Sequence, residues 1–292
     1  MFGTGLIEKI YSLFSCIPLE VLQYSFIQSA LLAVLIAALL TAVAGIQIIN
    51  YRMAFFADTI AHSAFAGAAL GIFLLGSAGP MWFMPLLAML IALGVMKLKR
   101  SSNLSGDSAI GVFFAITAAG GLLMVSKLPN AALLAQNFLF GDILTISARD
   151  ILMLILLAAA YIVFLFFANN ALQIMAIDEN LARAHRVPTC FYSYLHIALL
   201  ALIVIFSVRT IGVLLAGAML IVPAAAARSI ARSAKAVFYY AIVFGTISGV
   251  SGLLISAQEW ANTAAGATIV IVNCILFLIC QLIRSLQKAL IQ

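Results

Sequence analysis

Ser29–Ile49 reads SALLAVLIAALLTAVAGIQII, an unbroken apolar run with no charged residue. At 1.5 Å of rise per residue, a helix of about 20 apolar residues matches the hydrocarbon core of a bilayer. Working outward, comparable runs recur at Ala54–Gly76, Met81–Met96, Ala109–Val125 and Ile151–Ala168. Four more follow at Tyr194–Val208, Ile211–Ala227, Val237–Ser256 and Ala264–Ile283. Hydrophobic residues make up 66% of the 292 and charged residues 8%. A soluble domain carries roughly a quarter of its residues as charge, so lipid must be the solvent for most of this surface. The expectation is an all-α bundle of about eight to nine transmembrane spans. It forms one transmembrane domain over 1–292, with an N-terminal tail over 1–28. The pair Arg209–Thr210 marks a very tight turn, so one neighbouring span is expected to be short or re-entrant. Ala131–Ser147 is mixed in character and reads as interfacial.

Charge placement orients the bundle. Arg52, Lys97, Lys99, Arg100, Arg183, Arg186, Arg228, Arg232, Lys235, Arg284 and Lys288 fall at one set of ends, eleven of the fifteen Lys and Arg residues. Lys9, Lys127, Arg149 and Arg209 fall at the other. The richer side is cytoplasmic by the positive-inside rule. The C-terminus is then inside, and nine spans put the N-terminus outside. The net charge of +6 is therefore read as span flanking, not as a nucleic-acid surface. Cys16, Cys190, Cys274 and Cys280 form no CxxC pair and read as small apolar residues. Gly67 with Gly71, and Gly245 with Gly249, are spaced one turn apart, as close-packing helix faces require.

Most acidic residues lie in loops or at span ends, but Asp58 lies within an apolar run, four residues before His62. The two share a helix face. Counted along a helix from Arg52, they stand about 9 Å and about 15 Å into the membrane. A carboxylate there is costly unless paired or hydrated. Oxygen and nitrogen ligands at i, i+4 can hold one divalent cation and suit Zn²⁺ or Mn²⁺. Two ligands per chain leave a site incomplete, and a two-fold dimer would supply the second pair. The plainer alternative is a structural hydrogen bond between the two, or from neighbouring helices to Asp58. His185 reads as solvated and His196 as a packing residue at the start of its span.

Asp178-Glu-Asn-Leu-Ala-Arg-Ala-His-Arg186-Val-Pro188 reads as a short polar helix between spans, capped by Asp178 and ended by Pro188. It serves either as a docking segment for a partner or as a solvated connector. No G-x-x-x-x-G-K-[ST] phosphate loop occurs, so the chain is not itself an ATPase. Gly249-Val-Ser251-Gly252 lacks the spacing of a serine-hydrolase elbow.

Four blocks in order carry a family likeness: Arg52 to His62, Asp107-Ser-Ala-Ile-Gly111, Leu139-Phe-Gly-Asp142-Ile-Leu, and Ile211-Gly-Val-Leu-Leu through Pro223 to Arg228. From about Ser29 to about Gln281 the chain resembles permeases of bacterial zinc/manganese/iron ABC importers. The resemblance implies a homodimeric permease in the bacterial inner membrane, two cytoplasmic ATP-binding cassette ATPases and an extracytoplasmic metal-binding protein. It implies that Asp58 and His62 line the metal path. It makes 178–188 the coupling helix, with Asp178, Glu179, Arg183 and Arg186 facing the ATPase. No tightly bound cofactor is expected; the metal is cargo. Zinc is favoured, because a dimer offers two oxygens and two nitrogens for a tetrahedral set, and because Asp58-Thr-Ile-Ala-His62 looks more like the zinc branch. Manganese and iron are the alternatives, as is a proton-coupled secondary metal transporter working through Asp58 and His62. The departures are His185-Arg186 where a glycine is usual, Ala57 before the aspartate, and Asn262-Thr-Ala264-Ala-Gly266 in place of Asp-x-Pro-x-Gly.

Overall fold

The computed structural model describes residues 24–76, 79–101, 105–128, 146–258, 261 and 263–291. Lys9, Cys16, Leu139–Asp142, Asn262 and the interfacial segment as far as residue 145 lie outside the described residues. The described residues are helical, with no strand among them. The helices are α1 (Ser25–Asn50), α2 (Phe56–Leu75), α3 (Gly79–Ser101), α4 (Gly106–Val125) and α5 (Ala148–Ile177). The short α6 (Glu179–Ala184) follows, then α7 (Thr189–Ile211), α8 (Val213–Ile230), α9 (Ala234–Ser256) and α10 (Ala265–Ile291). Among the described residues, nine of these, all but α6, are long and apolar enough to cross a membrane.

Polar residues set the ends. Ser105 and Ser233 occupy N-cap positions, accepting from Ser108 N (3.1 Å) and Ala236 N (3.2 Å). Ser147 and Asp150 bond reciprocally at the start of α5, Ser147 N to Asp150 Oδ2 at 3.2 Å and Asp150 N to Ser147 Oγ at 3.3 Å. Such a box satisfies amide donors that a helix start leaves open. Asp150 also faces Arg209 Nε at 3.7 Å.

Boundaries differ from the sequence expectation at several ends, among them the break after α7 and the end of α5. Helix α7 runs through Arg209–Thr210 to Ile211, and the break falls at Gly212, whose φ is +83°. A side chain is disfavoured at that angle, so the break belongs to the glycine. Neither neighbour is short: α7 has 23 residues and α8 has 18. Helix α5 does not stop near Ala168 but continues to Ile177. There Gln173 Nε2 donates to Asn169 Oδ1 at 3.3 Å, one turn back.

By its internal contacts the chain gathers into two compact units, and their boundaries at 46/47, 156/157 and 205/206 fall inside helices. The first takes the described residues of Met1–Ile46, Gln136–Leu156 and Phe206–Gln292. Small residues bring its backbones together. A Cβ on Gly45 would collide with the Leu220 carbonyl, and one on Gly249 would meet Val34 Cγ1 at 2.8 Å. A Cβ on Gly252 would meet Ile269 Cα at 2.5 Å. Buried Ser248 donates to Asn273 Oδ1 at 2.9 Å, joining α9 to α10. Pro223 lies inside α8. The second unit takes Gln47–Ala135 and Leu157–Ile205. Within it, Gly67 and Gly71 lie against the backbones of Phe83 and Gly79. The glycine pairs are thus packing faces. Cys274 is exposed and Cys280 buried, on different faces of α10, and both are free thiols, as is Cys190.

Candidate metal path and coupling segment

The path candidate is built on α2. Ahead of it, Arg52 adopts φ +54°, and Met53 N reaches Ile48 O (3.0 Å) while Arg52 N reaches Ile49 O (3.2 Å). This is a Schellman end to α1, a closure that commonly uses glycine at the left-handed position. Residues 52–55 therefore turn and do not climb. Asp58 lies in the first turn of α2, about 3 Å along the helix, with His62 about 9 Å along it. Both are shallower than a helix counted from Arg52 would place them.

Most of α2 is buried, including Ala57, Thr59, Ile60, Ala61 and Ser63. Asp58, His62 and Phe65 are only partly buried and form one stripe. Thr59 Oγ1 donates to Ile110 O at 3.4 Å, fastening α2 to α4. The His62 ring stands edge-on to Phe114, with centroids 5.0 Å apart. Among the described residues no hydrogen bond or ion pair joins Asp58 to His62, and none reaches Asp58 from a neighbouring helix. The plainer structural pairing is not formed. Nor do three or more His, Cys, Asp or Glu gather there or elsewhere among the described residues. The arrangement offers two open ligands one turn apart on a half-covered face.

The polar segment forms α6, shorter than 178–188. Asp178 Oδ1 caps it, accepting from Asn180 N (2.7 Å) and Leu181 N (3.4 Å). Pro188 does not end it. The helix closes at Ala184, with Arg186 at φ +59°, Val187 N on Ala182 O (3.0 Å) and Arg186 N on Arg183 O (2.9 Å). This is a second Schellman end with arginine in the glycine position. Pro188 instead opens the next helix, its carbonyl accepting from Tyr192 N.

Not every charge on this segment is free for a partner. Glu179 Oε1 takes Arg100 Nη2 at 2.9 Å and Arg183 Nη2 at 2.8 Å. Burial alone raises the Glu179 carboxyl, but the Arg183 hydrogen bond and the charges of Arg100, Arg183 and Lys99 outweigh it and hold it below the ordinary range. Tyr51 OH donates to Leu172 O at 2.9 Å. Burial, and then the Glu179 charge, push that phenol above its ordinary value. Sequence reading missed Tyr51 and Arg100 here, since nothing local links them to a segment far along the chain. His185 is exposed as expected. His196 lies in the second turn of α7, 2% exposed, its ring stacked near Tyr161 and Phe164.

Residues 23–284 match the ABC 3 transport family. The chain belongs to that family. It is 29% identical over 257 residues to the high-affinity zinc uptake system membrane protein ZnuB of Haemophilus influenzae, covering 88% of this chain and 97% of that one. It is 30% identical over 271 residues to the manganese import system permease protein ScaB of Streptococcus gordonii, covering 92% and 95%. Among solved structures, PsaBC from Streptococcus pneumoniae in complex with a Fab has a chain that superposes with a TM-score of 0.75 at 30% identity, covering 88% of this chain and 91% of that one. This member of the ABC 3 transport family is thus a multi-pass membrane permease, not an enzyme. The family likeness carried by its sequence blocks holds.

Proposed function

We propose that this chain is the membrane permease of an ATP-driven importer of divalent transition metal, with zinc as the favoured cargo and manganese or iron as alternatives. The observation that carries the reading is the open pair of Asp58 and His62 on one half-covered stripe of α2. A carboxylate and an imidazole at that spacing offer a borderline cation one oxygen and one nitrogen. A second copy of the chain would complete a four-ligand set. Relatives named for zinc and for manganese are similarly close, so they support a divalent metal without choosing between the two. The preference for zinc rests on the ligand count and on the likeness of Asp58-Thr-Ile-Ala-His62 to the zinc branch. The partners are two ATP-binding cassette ATPases docked at α6 through Asp178, Glu179, Arg183 and Arg186, and an extracytoplasmic metal-binding protein. The location is the bacterial inner membrane, with the C-terminus cytoplasmic.

The test is reconstitution with candidate ATPase and binding-protein partners, followed by uptake of radioactive zinc and manganese. Asp58→Asn and His62→Ala each nearly abolish uptake while leaving membrane insertion intact. Normal uptake by the double variant would sink the metal path. Manganese uptake that excess zinc fails to inhibit would overturn the zinc preference and leave the permease reading standing.

A further inference from the structure

Within the second unit, a cavity of about 200 Å³ is lined by Lys99, Arg100, Glu179, Arg183, Ser193 and His196, among others. Three cations against one carboxylate leave a formal charge of +2. The carboxylate is already shared between the two arginines. Arg100 uses Nη2 on Glu179 and Thr189, while its Nη1 is buried with no protein hydrogen-bond partner. Lys99 Nζ stands 5.9 Å from the Tyr51 ring centroid, and no ion pair joins it to a carboxylate among the described residues. His196 is 2% exposed, and neither ring nitrogen has a protein partner.

A buried donor left unpaired is costly, the more so when charged. The occupant that removes this cost must bring several acceptors and negative charge. A metal cation is repelled by the +2 lining, and a neutral solute leaves the charge unmet. A tetrahedral oxyanion matches the guanidinium fork and the ammonium together. The volume corresponds to about six or seven waters, room for one phosphate group and a little solvent. It is below the about 300–1,000 Å³ of pockets that enclose drug-sized ligands, which excludes a whole nucleotide.

We infer that this cavity binds a single phosphate-class oxyanion, supplied either as inorganic phosphate or as the headgroup of an anionic lipid. Its donors come from α3, α6 and α7, so occupancy fastens α6 to two membrane helices. The site does not depend on which metal, or whether any metal, is carried.

The experiment uses the purified full chain. In detergent, thermal stability is followed as inorganic phosphate is titrated, against sodium chloride at matched ionic strength. Saturable stabilisation by phosphate alone is expected, since a ligand of the folded state raises stability by mass action. Lys99→Gln weakens the apparent affinity by roughly tenfold, the loss of one charge-assisted hydrogen bond, and Lys99→Arg restores it. In the second arm, nanodiscs of equal phosphatidylcholine and phosphatidylglycerol are dissolved, and native mass spectrometry counts retained phosphatidylglycerol. Retention lost in Lys99→Gln, with a flat phosphate titration, identifies the lipid as the source. Where Lys99→Gln does not fold, Ser193→Ala is read in its place, with a several-fold weakening. Stabilisation shared by chloride, or phosphate binding and lipid retention both indifferent to these variants, overturns the inference.

Discussion

Replacing Arg186 by glycine should make the end of α6 harder to open. Arg186 holds φ +59°, a left-handed angle that costs a residue with a Cβ roughly 1–2 kcal/mol. Glycine removes that cost but gives the opened segment more freedom, worth about 0.5–1 kcal/mol. The balance is about 0.5–1 kcal/mol in favour of the closed end, or roughly two- to fivefold less opening. The reporters are the amides of Arg186 and Val187, which bond to Arg183 O and Ala182 O. Hydrogen exchange of a peptide covering them, from protein in nanodiscs, should slow by that factor. Arg186→Ala separates charge from backbone: it loses the guanidinium and keeps the angle, so its exchange should stay within about twofold of the parent. If the glycine variant exchanges as fast as the parent, or if alanine slows exchange equally, the Schellman account of this end is wrong.

The Glu179 carboxyl is held below the ordinary range, so its ion pairs contribute stability above the usual glutamate value near 4.3 and lose it as pH falls through the lowered value. The difference in thermal stability between the parent and Glu179→Gln should therefore shrink toward zero on acidification; a gap that widens would refute the assignment. Gly45→Ala drives a methyl into the Leu220 carbonyl and should cost on the order of 1–3 kcal/mol, read as earlier loss of the monodisperse peak on heating. Gly111→Ala, with nothing within 4 Å of the added Cβ, should show no such loss, and equal behaviour of the two would discredit the contact. Charge reversal at Arg186, exposed on the segment, should reduce co-purification with the ATPase partner while leaving thermal stability near the parent's; unchanged retention counts against docking there.

The membrane helices were legible because each needs about twenty apolar residues and hydropathy reads length directly. Asp58 and His62 were legible for the converse reason, as ionisable residues where the run should be apolar. What escaped reading was pairing across distance. The bond between Arg100 and Glu179 joins residues far apart in the chain, and only the packed helices bring them together. The ends of α1 and α6 carry arginine where the sequence rule looks for glycine, so the turn signal was missing. Pro188 drew the α6 boundary to itself, although a proline is as much at home opening a helix as closing one. The last turns of α5 were lost because Asn169, Asn170 and Gln173 interrupt the apolar pattern while still supporting a helix.

The approach of Gly45 to the Leu220 carbonyl, with Gly245 and Gly249 against the residues of α1, has a mechanical meaning. Helices slide past one another by exchanging rotamers in an interdigitated interface, in steps of an ångström or two. Where backbone rests on backbone there are no rotamers to exchange. At Gly45 and Leu220, helices α1 and α8 are thereby denied shear. Bending is left to places where helical hydrogen bonding is already interrupted, such as Gly212 between α7 and α8.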